Sequence, residues 1–108
     1  MVKYTNMKYY ISGKITDVDR ATELENMQLF YDKEMQLIAE GTPPEDIFNP
    51  ARLEVDGGAT WEYYLARDLH HIMEFKPTLV LLPNWKESKG ARLEVELANL
   101  LKLPVIEP

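Results

Sequence analysis

Two carboxylates occupy positions that helical spacing predicts to face inward. Near the end of the chain, Ala91, Ala98 and Leu101 form an apolar stripe at spacings of seven and three, and Glu94 falls inside it. Asp68 interrupts the stripe of an earlier helix in the same way. An inward carboxylate is costly unless it is paired or used. Carboxylates can attack an electron-poor carbon or transfer protons, so both residues are candidates for catalysis.

The alternative explanation for each carboxylate is structural. Asp68 lies at the heptad position between Leu65 and Ile72, in a stripe that runs from Trp61 to Phe75. A single interruption of this kind is usually a cap, a salt bridge or the edge of the stripe. Two interruptions on different helices, together with two glycine-bearing turns that follow strand-like runs, favour a shared functional site.

The glycine-bearing turns predict where this site lies. Ser12-Gly13 follows a short β-rich run, and Ser88-x-Gly90 opens the Glu94 helix after the apolar run over residues 78–82. Parallel strands bring such turns to one edge of the sheet, where open α/β sheets hold their ligands. We therefore expect Ser12, Gly13, Asp68, Ser88, Gly90 and Glu94 to surround one pocket.

Strand-like and helical segments alternate along the remaining chain. The spacing predicts a first helix with Thr16 as its N-cap, ended by Gly41, and a loop over residues 42–58 in which Ile47-Phe48 forms a brief strand. The inward stripe of this helix is predicted to contain Leu24, Met27, Tyr31, Met35 and Ile38. A second helix is expected over about residues 60–74, and a last strand at Val105-Ile106. The prediction is a single domain over residues 1–108, a three-layer α/β sandwich with a mainly parallel sheet of four or five strands, Rossmann- or flavodoxin-like.

Composition narrows the function classes. The 108 residues include no cysteine, which excludes thiol catalysis and disulfides, and His70 and His71 are adjacent on a predicted helix exterior, so we expect no metal site. The formal net charge of −6 argues against a nucleic-acid polymer as partner. No apolar run has membrane-spanning length and the first residues do not form a signal peptide, so we expect no membrane partner and a cytoplasmic protein.

Short motifs in order along nearly the whole chain carry a resemblance to a known family. The most specific combination is Ser88-x-Gly90-x-x-x-Glu94 after an apolar strand, with Asp68-Leu69 upstream. The other matching segments are Tyr10-Ile11-Ser12-Gly13-Lys14-Ile15, Asn49-Pro50, Trp61, Tyr64-Leu65, residues 79–82, Trp85, Ala91, Ala98 and Leu103-Pro104-Val105. At these positions the chain resembles the nucleoside 2-deoxyribosyltransferase-like superfamily, in particular its small, mostly phage-borne members and the deoxynucleoside 5′-monophosphate N-glycosidases.

The resemblance implies cleavage of the N-glycosidic bond of a deoxynucleoside or deoxynucleotide, without a cofactor. Glu94 would attack the anomeric carbon, as carboxylates do in retaining glycosidases, and water or another base would resolve the glycosyl-enzyme. Asp68 would orient the sugar or supply a proton to the departing base. Ser88 matches the serine of the monophosphate hydrolases, which favours a 5′-phosphate ligand at a helix N-terminus with Gly90.

Further residues are candidates for substrate binding. Ser12 and Gly13 would let the backbone approach the ligand, and Lys14 would pair with a phosphate. Tyr10 and Trp85 would stack on a base. An ordinary turn, a solvated lysine and core aromatics are the alternative interpretations of these residues.

Two other classes of function stay open. A nucleotide-binding module without catalysis is one, because the sequence stops at Pro108, where many relatives continue with residues that reach into a neighbouring subunit's site. A phage effector that binds a host protein through its acidic surface is the other. We also expect a homo-oligomer, a dimer, because Trp61, Tyr63, Tyr64 and Trp85 cluster beside the predicted pocket.

Overall fold

Four short parallel strands form the centre of the fold. The computed structural model describes residues 7–53 and 60–108. In these residues the strands β1 (Tyr9–Ser12), β2 (Ile47–Phe48), β3 (Thr78–Leu81) and β4 (Val105–Ile106) pair in the order β2-β1-β3-β4. The helices are α1 (Arg20–Ala39), α2 (Trp61–Phe75) and α3 (Lys89–Leu100). The predicted α/β class and parallel sheet are confirmed.

The helices cover both faces of this sheet because successive strand residues point to opposite sides. Ile11 and Val80 face α1 and pack with its Phe30 and Leu37. Tyr10, Leu79 and Leu81 face the other way, toward α2 and α3, where they share a core with Ile72 and Ala98. Strands buried on both faces explain the near-continuous apolar runs in the sequence.

Each helix begins at a polar side chain that accepts a backbone N–H. Asp19 caps α1 by accepting from the Thr22 N–H, so the prediction of Thr16 as the cap is wrong. Thr60 caps α2 and Ser88 caps α3. After α1, Gly41 has a φ of +104°, the left-handed conformation that makes glycine favourable at a helix end. No helix in the described part of the chain is long and apolar enough to cross a membrane.

The inward face of α1 differs from the prediction by one position. Its buried residues are Asn26, Phe30, Glu34 and Leu37, whereas the expected Leu24 and Met35 are exposed. The exterior placement of the histidines is correct for His70 only. The His71 ring lies 4.6 Å from that of Phe48 and stacks on Phe75, so it belongs to the core under α2.

The strand order locates a crevice between β1 and β3. The chain leaves β1 for β2 on one side through α1, which covers one face, and returns to β3 on the other side through α2, which covers the opposite face. The connections that follow β1 and β3 therefore lead in opposite directions along the sheet. In doubly wound sheets this switch point is where ligands bind.

Candidate functional site

Glu94 lies at this switch point with its carboxyl group held by β1. The alternation of β1 places Tyr10 and Ser12 on the same face, directly under α3. The Tyr10 hydroxyl donates to Glu94 Oε2 at 2.6 Å, and the Ser12 hydroxyl donates to Oε1 at 2.7 Å. Only 6% of Glu94 is exposed, and both hydroxyls are buried with it. The carboxyl is therefore fixed in place with one donor on each oxygen.

Burial changes the ionisation of this group. Loss of solvent and then the negative charge of Asp68 raise the pKa of Glu94 to about 8, although the hydrogen bonds from Tyr10 and Ser12 and the positive charge of Arg67 act the other way. Burial and the two carboxylates also hold the pKa of Tyr10 well above its usual range, so this hydroxyl remains a donor. Near neutral pH, Glu94 is a carboxyl that can carry or lose a proton.

A cleft with a cavity volume of about 80 Å³, open to solvent, lies beside Glu94. Its walls come from the ends of β1 and β2, from α1, and from the first halves of α2 and α3. They contain Tyr10, Ile11, Gly13, Ile15, Thr16, Phe30, Pro50, Trp61, Tyr64, Leu65, Asp68, Ser88, Gly90, Ala91 and Glu94.

Asp68 reaches the cleft from α2. Trp61, Tyr64, Leu65 and Asp68 follow one another at spacings of three, one and three, so they share a helix face, and all four line the cleft. Arg67 binds Asp68 Oδ1 through both Nε, at 2.9 Å, and Nη2, at 2.8 Å. The cleft therefore presents two carboxyl groups, one held by hydroxyls and one by a guanidinium.

The first turn of α3 forms the wall next to Glu94. The Ser88 hydroxyl accepts the Ala91 N–H at 3.1 Å and keeps its own hydrogen for donation. The N–H groups of Lys89 and Gly90 lie in this first turn, where no carbonyl of the helix reaches them. A Cβ added at Gly90 would meet only ordinary contacts, 3.8 Å from Leu65 Cδ1 and Ser88 Oγ. Packing does not require a glycine here, and its missing side chain leaves room in the cleft.

Gly13 has a different reason to be glycine. A Cβ at this position would lie 2.8 Å from Asn84 Oδ1 and 2.9 Å from Leu82 Cβ. Asn84 also accepts the Lys14 N–H at 3.0 Å, donates to the Lys14 carbonyl at 3.1 Å and donates to Asn26 at 3.3 Å. These bonds fix the turn after β1 against the turn after β3, and this close approach leaves no space for a side chain.

Three of the predicted binding residues lie in positions that do not suit their expected roles. Lys14 does not line the cleft, and its ammonium pairs with Asp17 at 3.3 Å. Trp85 is also outside the lining and packs against the core under α3. Tyr10 is fully buried with its ring stacked on Phe48 at 5.0 Å, so its hydroxyl, and not its ring, serves the cleft. The predicted stacking of a base on Tyr10 is wrong because its ring is fully buried. Trp85 is half-buried and does not line the cleft, so its stacking on a base stays a prediction.

Several residues that form or fix the site were not predicted from the sequence. Asn84 carried a usable signal, because it is a polar residue just after a buried strand. Tyr64 was expected beside the pocket, but its place on the helix face of Asp68 was not used to assign it to the lining. Thr16, Phe30 and Pro50 carried no such signal, because only the tertiary fold brings them to the edge of the sheet.

Together these features define a small doubly wound α/β domain with a two-carboxylate cleft at its switch point. A family model described as a domain of unknown function, DUF4406, matches residues 7–107, and the chain belongs to that family. No curated protein matches the chain. Within residues 7–53 and 60–108, no three His, Asp or Glu side chains are grouped to hold a metal ion.

Proposed function

We propose that this protein cleaves the N-glycosidic bond of a deoxynucleoside 5′-monophosphate, with Glu94 as the nucleophile. The observation that carries the proposal is the buried Glu94 carboxyl, held on both oxygens by Tyr10 and Ser12 at the wall of a solvent-open cleft. A carboxylate fixed in this way has a defined direction of attack, which lowers the entropic part of the barrier.

The reaction has two displacement steps. An ionised Glu94 oxygen attacks C1′ of the sugar while the bond from C1′ to the base nitrogen breaks, and the electron pair leaves with the base. Water, or a second base, then attacks C1′, and the glycosyl ester bond to Glu94 breaks to regenerate the carboxylate. The burial of Glu94 limits solvation of the carboxylate, which favours attack on the electron-poor carbon.

Asp68 supports the same reaction from α2. It lines the cleft, and its charge raises the pKa of Glu94. We assign it to orienting the sugar or to delivering a proton to the departing base.

The first turn of α3 supports a 5′-phosphate on the substrate. It offers the Ser88 hydroxyl and the N–H groups of Lys89 and Gly90, and a helix N-terminus favours negative charge. Lys89 Nζ lies 5.5 Å from the centroid of the Trp61 ring, so a cation stands at the same end of the cleft.

A nucleotide-binding module without catalysis is the second candidate, and one observation favours it. With a pKa of about 8, Glu94 is mostly protonated at neutral pH, and a neutral carboxyl is a poor nucleophile. This candidate predicts that deoxynucleotides bind and are never cleaved.

The test is a panel of deoxynucleosides and their 5′-monophosphates, with free base measured by chromatography at pH 7 and pH 8.5. We expect base release from at least one monophosphate and a loss on the order of 10³-fold in Glu94→Gln, since removal of a covalent catalyst has effects of this size. Glu96→Gln is the matched control, because it removes an exposed carboxyl from the same helix. Binding without base release by the wild-type protein would overturn the proposal in favour of the binding module.

A further inference from the structure

Arg67 contacts the cleft indirectly, through two of the residues that line it. It does not line the cleft itself, whereas its partners Tyr64 and Asp68 do. Its Cζ lies 5.1 Å from the centroid of the Tyr64 ring, and two of its nitrogens bind Asp68 Oδ1. The side chains of Arg67 and Asp68 are only 20% and 14% exposed.

This arrangement is not the one that a surface arginine adopts by default. Successive side chains of a helix point about 100° apart, so those of Arg67 and Asp68 do not face each other in their usual directions. Arg67 must turn along the helix over Tyr64 to reach the neighbouring carboxylate, and ordering a long side chain costs entropy. Both side chains are mostly buried, so solvent screens the ion pair between them less than it screens a surface pair.

The charge of Arg67 also bears on Glu94. The groups that act on Glu94 are Tyr10 and Ser12 from β1 and Arg67 and Asp68 from α2. Asp68 disfavours ionisation of Glu94 by repulsion, and Arg67 acts against that repulsion. A cation bound to Asp68 therefore favours ionisation of Glu94 when Asp68 is charged.

We propose that Arg67 is a positioning residue, whose two-nitrogen contact with Asp68 Oδ1 and packing over Tyr64 fix the Asp68 carboxylate at the wall of the cleft. The same cation opposes the repulsion between Asp68 and Glu94. The effect of Arg67 on catalysis rests on the proposed function, because a protein that only binds nucleotides does not need an ionised Glu94. The effect of Arg67 on the titration of Glu94 does not, and it can be measured in the free protein without turnover.

The first experiment is a ¹³C NMR titration of the Glu94 carboxyl in the wild-type protein, Arg67→Gln, Arg67→Lys and Arg92→Gln, with Glu94→Gln used to assign the signal. We expect Arg67→Gln to move the titration upward by about one pH unit, and Arg67→Lys to restore most of that shift. Arg92→Gln is the matched control, because it removes an exposed positive charge two residues from Glu94 on α3. An unchanged midpoint in Arg67→Gln, or an equal shift in Arg92→Gln, would overturn the inference.

The second experiment is a double-mutant cycle on base release. The cycle is measured at pH 9.5, where Glu94 is mostly ionised in all variants. If Arg67 acts through Asp68, Arg67→Gln lowers kcat by about tenfold in the wild-type background and changes it little in Asp68→Asn. Equal losses in both backgrounds would show that Arg67 does not act through Asp68. If Arg67→Gln does not fold, Arg67→Lys serves, since it keeps the charge but loses the two-nitrogen contact; we then expect a normal Glu94 titration with a reduced kcat. A protein that releases no base but shows the titration shift would overturn the proposed function alone.

Discussion

At the scale of single residues, the account depends on how Glu94 ionises. Burial and the charge of Asp68 raise its pKa to about 8, so the nucleophilic form is the minor one at neutral pH. The same carboxyl in its neutral form is suited to proton donation, and paired carboxyl groups in glycosidases divide these roles by their environments. The pH dependence of the reaction distinguishes the two roles.

We predict that kcat/KM for base release rises by about tenfold per pH unit below pH 8 and levels off above it. The reason is that only ionised Glu94 attacks C1′, and the pH profile of kcat/KM reports groups of the free enzyme. Steady-state rates between pH 5.5 and 9.5 measure this limb. A rate that falls through pH 8 would instead make Glu94 the acid and remove it as the nucleophile.

Glu94 is also predicted to make stability depend on pH. The folded-state pKa of Glu94 lies above its ordinary value of 4.5, so folding favours the protonated carboxyl. Its contribution to the free energy of unfolding is therefore fully present below about pH 4.5 and is lost as the pH rises through about 8. We expect Glu94→Gln to gain stability relative to the wild type by about 3–5 kcal/mol between pH 5 and pH 9. The amide can still accept from Tyr10 and donate to Ser12. Urea unfolding at several pH values checks this, and Glu96→Gln should follow the wild type throughout.

The two turn glycines are predicted to respond in opposite ways to alanine. Gly90→Ala should stabilise α3 by up to about 1 kcal/mol, because a Cβ fits there and alanine is the better helix former. The same methyl group would occupy the cleft, so we expect the affinity for a deoxynucleoside monophosphate to fall by about tenfold.

Gly13→Ala is the contrasting variant. Its Cβ would collide with Asn84 and Leu82, and we expect a loss of about 1–3 kcal/mol in unfolding free energy. Urea denaturation and calorimetric titration measure both quantities. If Gly90→Ala binds the monophosphate as tightly as the wild type, the first turn of α3 does not hold the ligand.

At the scale of elements, the sequence predicted some inward carboxylates and missed another. Glu94 was recognisable because Ala91 and Ala98 flank it at helical spacing. Glu34 of α1 is just as buried, yet it was overlooked because its stripe was drawn through Leu24 and Met35. It is paired with Arg52, whose Nε lies 2.9 Å from Glu34 Oε1, so this inward carboxylate has a structural partner.

The misplaced stripe of α1 has a physical cause. A search for apolar spacing passes over polar residues, but α1 buries Asn26 and Glu34 on the face toward the sheet. Asn26 donates to the Ile15 carbonyl at 3.3 Å, and its own Oδ1 accepts from Asn84. A helix whose inward face is satisfied by tertiary partners cannot be oriented from its own hydrophobic pattern alone.

At the scale of the whole molecule, the alternation of strands and helices was enough to predict the parallel sheet and the edge at which the site lies. Glycine turns after two strands indicated that edge, because parallel strands end on the same side. The detailed lining was not predictable, since Phe30, Pro50 and Thr16 reach the cleft only through the crossing of distant elements. Lys14 and Trp85 do not line the cleft for a different reason: each follows a strand, but Lys14 pairs with Asp17 and Trp85 packs against the core.

The predicted homodimer also belongs to this scale. Trp61 and Tyr63, at the start of α2 beside the cleft, are 42% and 61% exposed, which is apolar surface that a symmetric contact would bury. We expect sedimentation at micromolar concentration to give about twice the 12.6 kDa of the chain, and Tyr63→Asp to give the single-chain mass. Leu100→Asp, at an exposed apolar position near the end of α3, is the control. A wild-type mass near 12.6 kDa would remove the dimer.

The most direct test of the central claim is to trap the glycosyl-enzyme. A deoxynucleoside monophosphate that is cleaved is mixed with the protein, the reaction is stopped in acid within its first turnovers, and the intact mass is measured before peptide mapping. The account predicts a mass increase equal to one deoxyribosyl phosphate, located on the peptide that contains Glu94, present in Glu96→Gln and absent in Glu94→Gln. Two results would contradict it: an adduct on a residue other than Glu94, or base release by Glu94→Gln at the wild-type rate.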